Sequence, residues 1–248
     1  MDAADRNEED YELLLPQQNA YGDTTRKPVD EALAEGRSGD SAGLYIAFAG
    51  IGLMATTSWV ITLVNDPFSV GIFALHPILQ TLGLVLLVYG VMTLQPTSQP
   101  KTKAAGLERH QYAMALVALP ALLVGASAVW YNKERSGRAH YQSLHAKLGT
   151  AAVTWLVVQL LVGGASVWFG GAAFGGGMKA KSVWKYHRAS GYALFVLLMV
   201  TAHLGGFWSH WGERYSPLGM RIVAFAVAPL AALVGVYMRV RPSKMKFF

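Results

Sequence analysis

Apolar positions along the chain gather into long blocks separated by short polar connections. Six stretches contain no Asp, Glu, Lys or Arg: 42–64, 70–95, 111–130, 148–169, 189–208 and 222–238. A bilayer core of about 30 Å needs ~20 helical residues at 1.5 Å each. The blocks run from 17 to 26 residues, so each is long enough to span, the last with the least margin. Hydrocarbon offers the backbone no hydrogen-bond partners, which leaves only helices and closed barrels as spanning structures. No strict period-2 alternation marks a barrel. The pattern predicts an all-α membrane protein, a six-helix transmembrane bundle over residues 41–242. A disordered acidic segment, 1–40, precedes it and a short basic end, 243–248, follows. Short connections make consecutive helices antiparallel.

Composition agrees with a lipid environment: 53% of residues are hydrophobic and 15% charged, against about 25% charged in soluble domains. The chain has no Cys. That excludes disulfides, thiolate zinc sites, Cys-ligated iron–sulfur clusters and covalently attached haem. Any metal must be held by His, Met or oxygen. The first sixteen residues lack the basic start and apolar core of a secretory signal. The glycine run Gly170–Gly177 matches neither a P-loop nor a dinucleotide turn and predicts a flexible loop. Nothing points to a nucleic-acid partner; the lipid bilayer is the expected one.

Charge is segregated along the chain. Residues 1–40 carry 11 acids and 4 bases, whereas the remainder carries 4 acids and 17 bases. Loops 96–110 and 170–188 and the C-terminal end hold 11 Lys and Arg, against 6 in the connections of the opposite side. The positive-inside rule then places both termini in the cytosol. Within the acidic segment, Glu9-Asp10-Tyr11-Glu12-Leu13-Leu14-Leu15 has the form of an acidic di-leucine signal and of Tyr-x-x-apolar. Such signals direct proteins to endosomal, lysosomal or vacuolar membranes, although patterns this short also arise by chance.

Seven histidines remain to be explained, and four form a pattern. His76 lies near the start of helix two, His110 at the start of helix three, and His145 and His187 just before helices four and five. Alternate helix starts share a face, so His76 and His145 belong to one side and His110 and His187 to the other. One pair per leaflet is what two bis-imidazole haems require. Gly149 and Gly191 follow His145 and His187 by four residues, one turn away on the same face, where they leave room for a flat macrocycle. His203 is turned away from His187 and is expected to pack or hydrogen-bond, His210 falls in an aromatic belt, and His140 suits substrate contact better than ligation. Two alternatives stand beside this reading: an intramembrane metal transporter, and a non-catalytic scaffold whose histidines anchor the interfaces.

From about residue 42 to 242 the chain resembles the cytochrome b561 family. The resemblance is carried by Leu75-His76-Pro77, Arg109-His110, Asn132-Lys133, His140-Tyr141-Gln142-Ser143-Leu144-His145 and Tyr186-His187-Arg188-Ala189-Ser190-Gly191-Tyr192. It implies two non-covalent haem b groups, with axial ligands His76 and His145 for one iron and His110 and His187 for the other. It also implies a homodimer that takes electrons from cytosolic ascorbate and passes them to monodehydroascorbate or ferric chelates across the membrane, an ascorbate-dependent oxidoreductase. An ascorbate anion needs a positive entrance, and Arg109 and Lys181 foremost, with Lys103 and Lys185, stand beside the inner ligands. On the outer side Lys133, Arg138, His140 and Tyr141 would meet an anionic acceptor. Lys147, where many members have an aromatic residue, is a departure from the family pattern.

Overall fold

The computed structural model describes residues 35–65, 71–94 and 99–245. Among these no strand occurs, and six helices are long and apolar enough to cross a membrane. They are α1 (Asp40–Val64), α2 (Gly71–Leu94), α3 (Pro100–Arg135), α4 (Leu144–Ala165), α5 (Gly177–Phe207) and α6 (Leu218–Met238). The protein is an integral membrane bundle. Of the segment 1–40 expected to be disordered, residues 1–34, which include the Glu9–Leu15 run, lie outside the described residues.

The bundle closes as a ring: α1 packs between α6 and α2, α3 against α2, and α4 beside α5, which returns to α6. The tightest seam joins α1 and α6. Gly43, Ala47 and Gly50 face Ala228, Ala232 and Gly235, each set spaced by four and then three residues along its helix face. A Cβ on Gly50 would lie 2.5 Å from the Ala228 carbonyl oxygen, and one on Gly235 would lie 2.5 Å from that of Gly43. Lipid tails supply no hydrophobic drive between helices, so close backbone approach through small residues is what holds such a seam. Gly50→Leu should therefore force the two backbones apart at a cost of about 1–3 kcal/mol. The control is Gly52→Leu, because nothing lies within 4 Å of a Cβ there. Equal unfolding midpoints for the two variants in the same detergent would contradict the seam.

The helices run past the charge-free blocks. α3 starts at Pro100, a ring suited to a first helical turn, and continues for 36 residues, so Lys101, Lys103 and Arg109 sit on helix rather than loop. A charge-free window marks the hydrocarbon slab, and the helix continues wherever its backbone allows. The predicted glycine loop is also structured. Phe169, Gly170 and Gly171 are left-handed inside a tight turn, and helix resumes at Gly177. At the opposite end Ser143 caps α4, its Oγ accepting from the Ala146 N–H at 3.2 Å.

Two prolines reshape their helices. Pro120 and Pro229 have no N–H for the carbonyls four residues earlier, and π segments, Tyr112–Ala118 and Val223–Val227, precede them. In α6 the carbonyl so released is that of Phe225, and the His203 Nδ1–H donates to it at 2.7 Å.

At the face where α1 begins, a buried ion pair ties the ends of the bundle together. Arg241 binds the Asp40 carboxylate, and Arg239 donates to the Asp40 and Met92 carbonyls at 3.2 and 3.1 Å. Asp40 and Arg239 are almost fully enclosed. This is called the tail face below, because the acidic segment leads into it.

Candidate functional site

Antiparallel packing brings the four histidines together as two pairs. At the face opposite the tail, the rings of His76 on α2 and His145 on α4 lie 5.9 Å apart, centre to centre, and are nearly perpendicular. On the tail face, His110 of α3 and His187 of α5 lie 6.3 Å apart at 90°. No acid pairs with these rings among the described residues. Two imidazoles bound to one metal at about 2 Å each would place their ring centres roughly 6.3 Å apart. Both pairs have the spacing of axial ligands on a shared iron.

The surroundings favour ligation through Nε2. The His76 Nδ1 meets the Gly125 carbonyl at 3.0 Å, that of His110 the Gly90 carbonyl at 3.2 Å, and that of His145 the Thr201 carbonyl at 2.9 Å. A metal-bound imidazole usually donates its remote N–H to such an oxygen, which fixes tautomer and ring plane. His187 is held differently: the Gln159 amide donates to its backbone carbonyl, and Gly163 lies flat against the ring. A Cβ on Gly163 would fall 2.6 Å from His187 Cε1, and one on Gly205 would fall 2.6 Å from His145 Cε1. The donor set and the glycine cradles therefore fit a bis-imidazole haem at each level. His110 and Gly90, which share a hydrogen bond, lie at one level, and Gly90 is 14 residues along α2 from His76, about 21 Å of helix.

A cavity of about 820 Å³ opens beside the tail-face pair, lined by His110, His187, Gln159, Gly163 and Gly191 with Trp168 at its edge. Of the four bases expected beside this pair, Lys103, Lys181 and Lys185 line it. Arg109 is absent from its lining and donates instead to the Thr93 carbonyl at 3.3 Å. Arg188, quoted above only as part of the Tyr186–Tyr192 motif, also lines the cavity, as do Arg241 and Arg37, which no motif marks. Arg37 and Arg241 arrive from the ends of α1 and α6, so no spacing relates them to the histidines.

Two of the glycines flagged from sequence make other contacts. A Cβ on Gly149 would meet only the Thr201 methyl, at 3.5 Å. Gly191 does line the cavity, against the Gln159 amide. The glycines that press on imidazoles, Gly163 and Gly205, belong to neighbouring helices and carry no signal along the chain.

On the opposite face His140 stacks on Trp130 with ring centres 3.8 Å apart, and its Nε2 lies 2.8 Å from Glu134. Tyr141, at φ 57°, stands edge-on to Trp130. The Lys133 Nζ donates to the Ala139 carbonyl at 3.2 Å, and Arg138 is exposed beside it. These four candidates thus gather where α3 ends, Lys133 in its last turn and the other three in the loop that follows, with the Glu134 carboxylate among them. His203 lies apart, its Nδ1 on Phe225 and its Nε2 accepting from the Trp208 indole N–H at 3.2 Å. Both nitrogens are occupied, so it has no lone pair left for a metal.

Comparison with known proteins adds to this geometry. Residues 75–211 match the family model for eukaryotic cytochrome b561. That range contains all four paired histidines and leaves out α1 and α6. Two relatives from Zea mays, named ascorbate-specific transmembrane electron transporters 2 and 1, are each 33% identical over 141 residues. The match covers 54% of this chain and 55% of each relative, so it spans about half the length of the curated relatives.

Proposed function

The chain belongs to the eukaryotic cytochrome b561 family, and from that premise we propose that it carries electrons across the membrane from ascorbate. The acceptor on the far side is monodehydroascorbate or a ferric chelate. The observation that carries this reading is the two perpendicular imidazole pairs at iron-bridging distance, one near each face. The names of the two maize relatives support ascorbate as the donor.

His76 with His145, and His110 with His187, would each hold the iron of one non-covalent haem b. A haem at each level supplies a one-electron redox centre. The chain's own residues do the remaining work. The Gly125, Gly90 and Thr201 carbonyls hold the proton on Nδ1 and so present Nε2 to the iron. Lys103, Lys181 and Lys185 make the cavity beside His110 and His187 positive, which raises the local concentration of an anionic donor. Leu84, Leu87 and Val88 of α2 and Leu198 of α5 are buried on the stretches of helix between the two levels, and Leu87, Val88 and Leu198 give the tail-face cavity an apolar wall. The count of Lys and Arg assigns the tail face to the cytosol. On the opposite face Lys133, Arg138, His140 and Tyr141 are the residues placed to receive an anionic acceptor.

The metal-transporter alternative has less support. Among the described residues no three His, Asp or Glu side chains converge on one point.

Oriented vesicles test the proposal. Ascorbate added on the tail face should reduce both centres and then a ferric chelate sealed on the other side, in a protein with two acid-acetone-extractable haems per chain by the pyridine haemochrome assay. A haem ratio near one would defeat the two-centre reading. Reduction confined to the His145 face would reverse the orientation.

A further inference from the structure

Helix α3 serves both histidine pairs, and its winding decides whether it can. Near its tail-face end His110 meets the Gly90 carbonyl of α2 at 3.2 Å. Fifteen residues on, the Gly125 carbonyl meets the His76 Nδ1 at 3.0 Å. The buried residues of α3 along this path and just beyond it are Gly106, Ala113, Ala118, Leu122, Gly125 and Ala128. An α-helix turns about 100° per residue, so positions three, four or seven apart share a face. Every step in this stripe is of that kind except one. Ala118 follows Ala113 by five residues, which in an unbroken α-helix would set the two about 140° apart.

That step falls inside the π segment Tyr112–Ala118, which closes with the Leu119 N–H donating to the Met114 carbonyl five residues back. A π turn takes up about one residue more than an α turn, so the five-residue step winds like one of four. The surplus residue keeps the stripe continuous, and both halves of it face α2. A Cβ on Gly90 would lie 3.4 Å from the Ala113 Cβ, and one on Gly83 would lie 2.5 Å from the Leu122 Cγ. A Cβ on Gly125 would lie 3.2 Å from the Leu79 Cβ. His110, four residues after Gly106 and three before Ala113, is in phase with the first half, whereas Gly125 belongs to the second. Pro120 supplies the cause. Its ring has no N–H for the Leu116 carbonyl and crowds that oxygen, which opposes closure of this turn as α-helix.

We propose that Pro120 is a positioning residue for both iron sites. By holding the π turn it sets a rotation of about 100° within α3, which lets His110 face His187 while Gly125 holds His76. The ligand roles rest on the haem reading above; the register of α3 does not. Without the ring the segment is free to close as α-helix. The helix before the turn, Pro100–Gln111, has 12 residues and that after it, Leu119–Arg135, has 17. The shorter part should rotate and carry His110 out of line.

The chain has no Cys, so introduced pairs report the register directly. Gly90→Cys with Ala113→Cys reports on the first half of the stripe, and Leu79→Cys with Gly125→Cys on the second. Their Cβ separations of 3.4 and 3.2 Å are close to that of a disulfide. Both pairs should oxidise in the parent background. An unbroken α-helix would set Ala113 and Gly125 about 120° apart and could not give both. In Pro120→Ala the first pair should cross-link about tenfold more slowly, with the second unchanged. Pro120→Ala without added Cys should hold the tail-face haem about tenfold more weakly, as for other orienting contacts, and keep the opposite one. Deletion of Leu116, an exposed residue of the π segment, from Pro120→Ala removes the surplus residue and should restore both cross-link and haem. Failure of either pair to form in the parent background overturns the proposal, whether or not Pro120→Ala folds. Unchanged cross-linking in Pro120→Ala, or no recovery on deletion of Leu116, overturns it as well. If the parent itself binds no haem, the haem reading fails and the cross-links of the apoprotein alone decide the register.

Discussion

His110→Ala and His187→Ala should each yield a protein that keeps one haem and is not reduced by ascorbate from the tail face. Transfer across the membrane should fall on the order of 100-fold or more, since loss of a ligand exceeds the 10- to 100-fold effect typical of its hydrogen-bond partners. His76→Ala and His145→Ala should instead leave a tail-face centre that ascorbate still reduces and that delivers nothing to the far side. The pairing follows from the ring distances of 5.9 and 6.3 Å. His203→Ala should retain both haems, because the ring is already engaged by Phe225 and Trp208. Haem content and low-temperature spectra of the five variants check the assignment, with circular dichroism to confirm that each is folded. Loss of the same centre in His76→Ala and His110→Ala would overturn it.

The second large effect requires no change to any histidine. Gly163→Ala would put a methyl group 2.6 Å from the His187 ring, and Gly205→Ala would do the same to His145. Carbon atoms do not approach so closely, so the imidazole must tilt away from its iron. The expected outcome is loss of the tail-face haem in the first variant and of the opposite one in the second, with a weakening of about 10- to 100-fold as for other orienting contacts. Gly149→Ala serves as the control, since its methyl would meet only ordinary contact with Thr201. Haem retention measured under dilution reports the result. If Gly163→Ala and Gly149→Ala hold haem equally well, Gly163 does not set the ring plane.

These predictions also mark how far the sequence could be read. Helix number and the position of each histidine on alternate helices follow from charge-free blocks and chain direction alone. The helix ends do not, because the absence of charge reports the hydrocarbon slab while Pro100 and Ser143 set where helix begins. Residues that meet across helices were invisible for a related reason. Gly163 touches His187 from another helix, 24 positions earlier in the chain, and Arg241 reaches the cavity from the far end of α6. Arg109 shows the opposite error. It adjoins His110 in sequence, but 100° of helical rotation per residue turns it toward Thr93.

The partnership of Pro229, Phe225 and His203 bears on how this chain can vary. Loss of His203 alone would strand the carbonyl that Pro229 cannot serve, a buried acceptor worth about 1–3 kcal/mol when unsatisfied. Loss of Pro229 alone would return an N–H to the helix, draw the carbonyl back into its ladder and deprive the imidazole of its acceptor. The two substitutions should therefore be far less harmful together than the sum of their separate effects. Positions 203 and 229 are 26 residues apart on different helices, yet they are expected to change as a couple or to stay as they are.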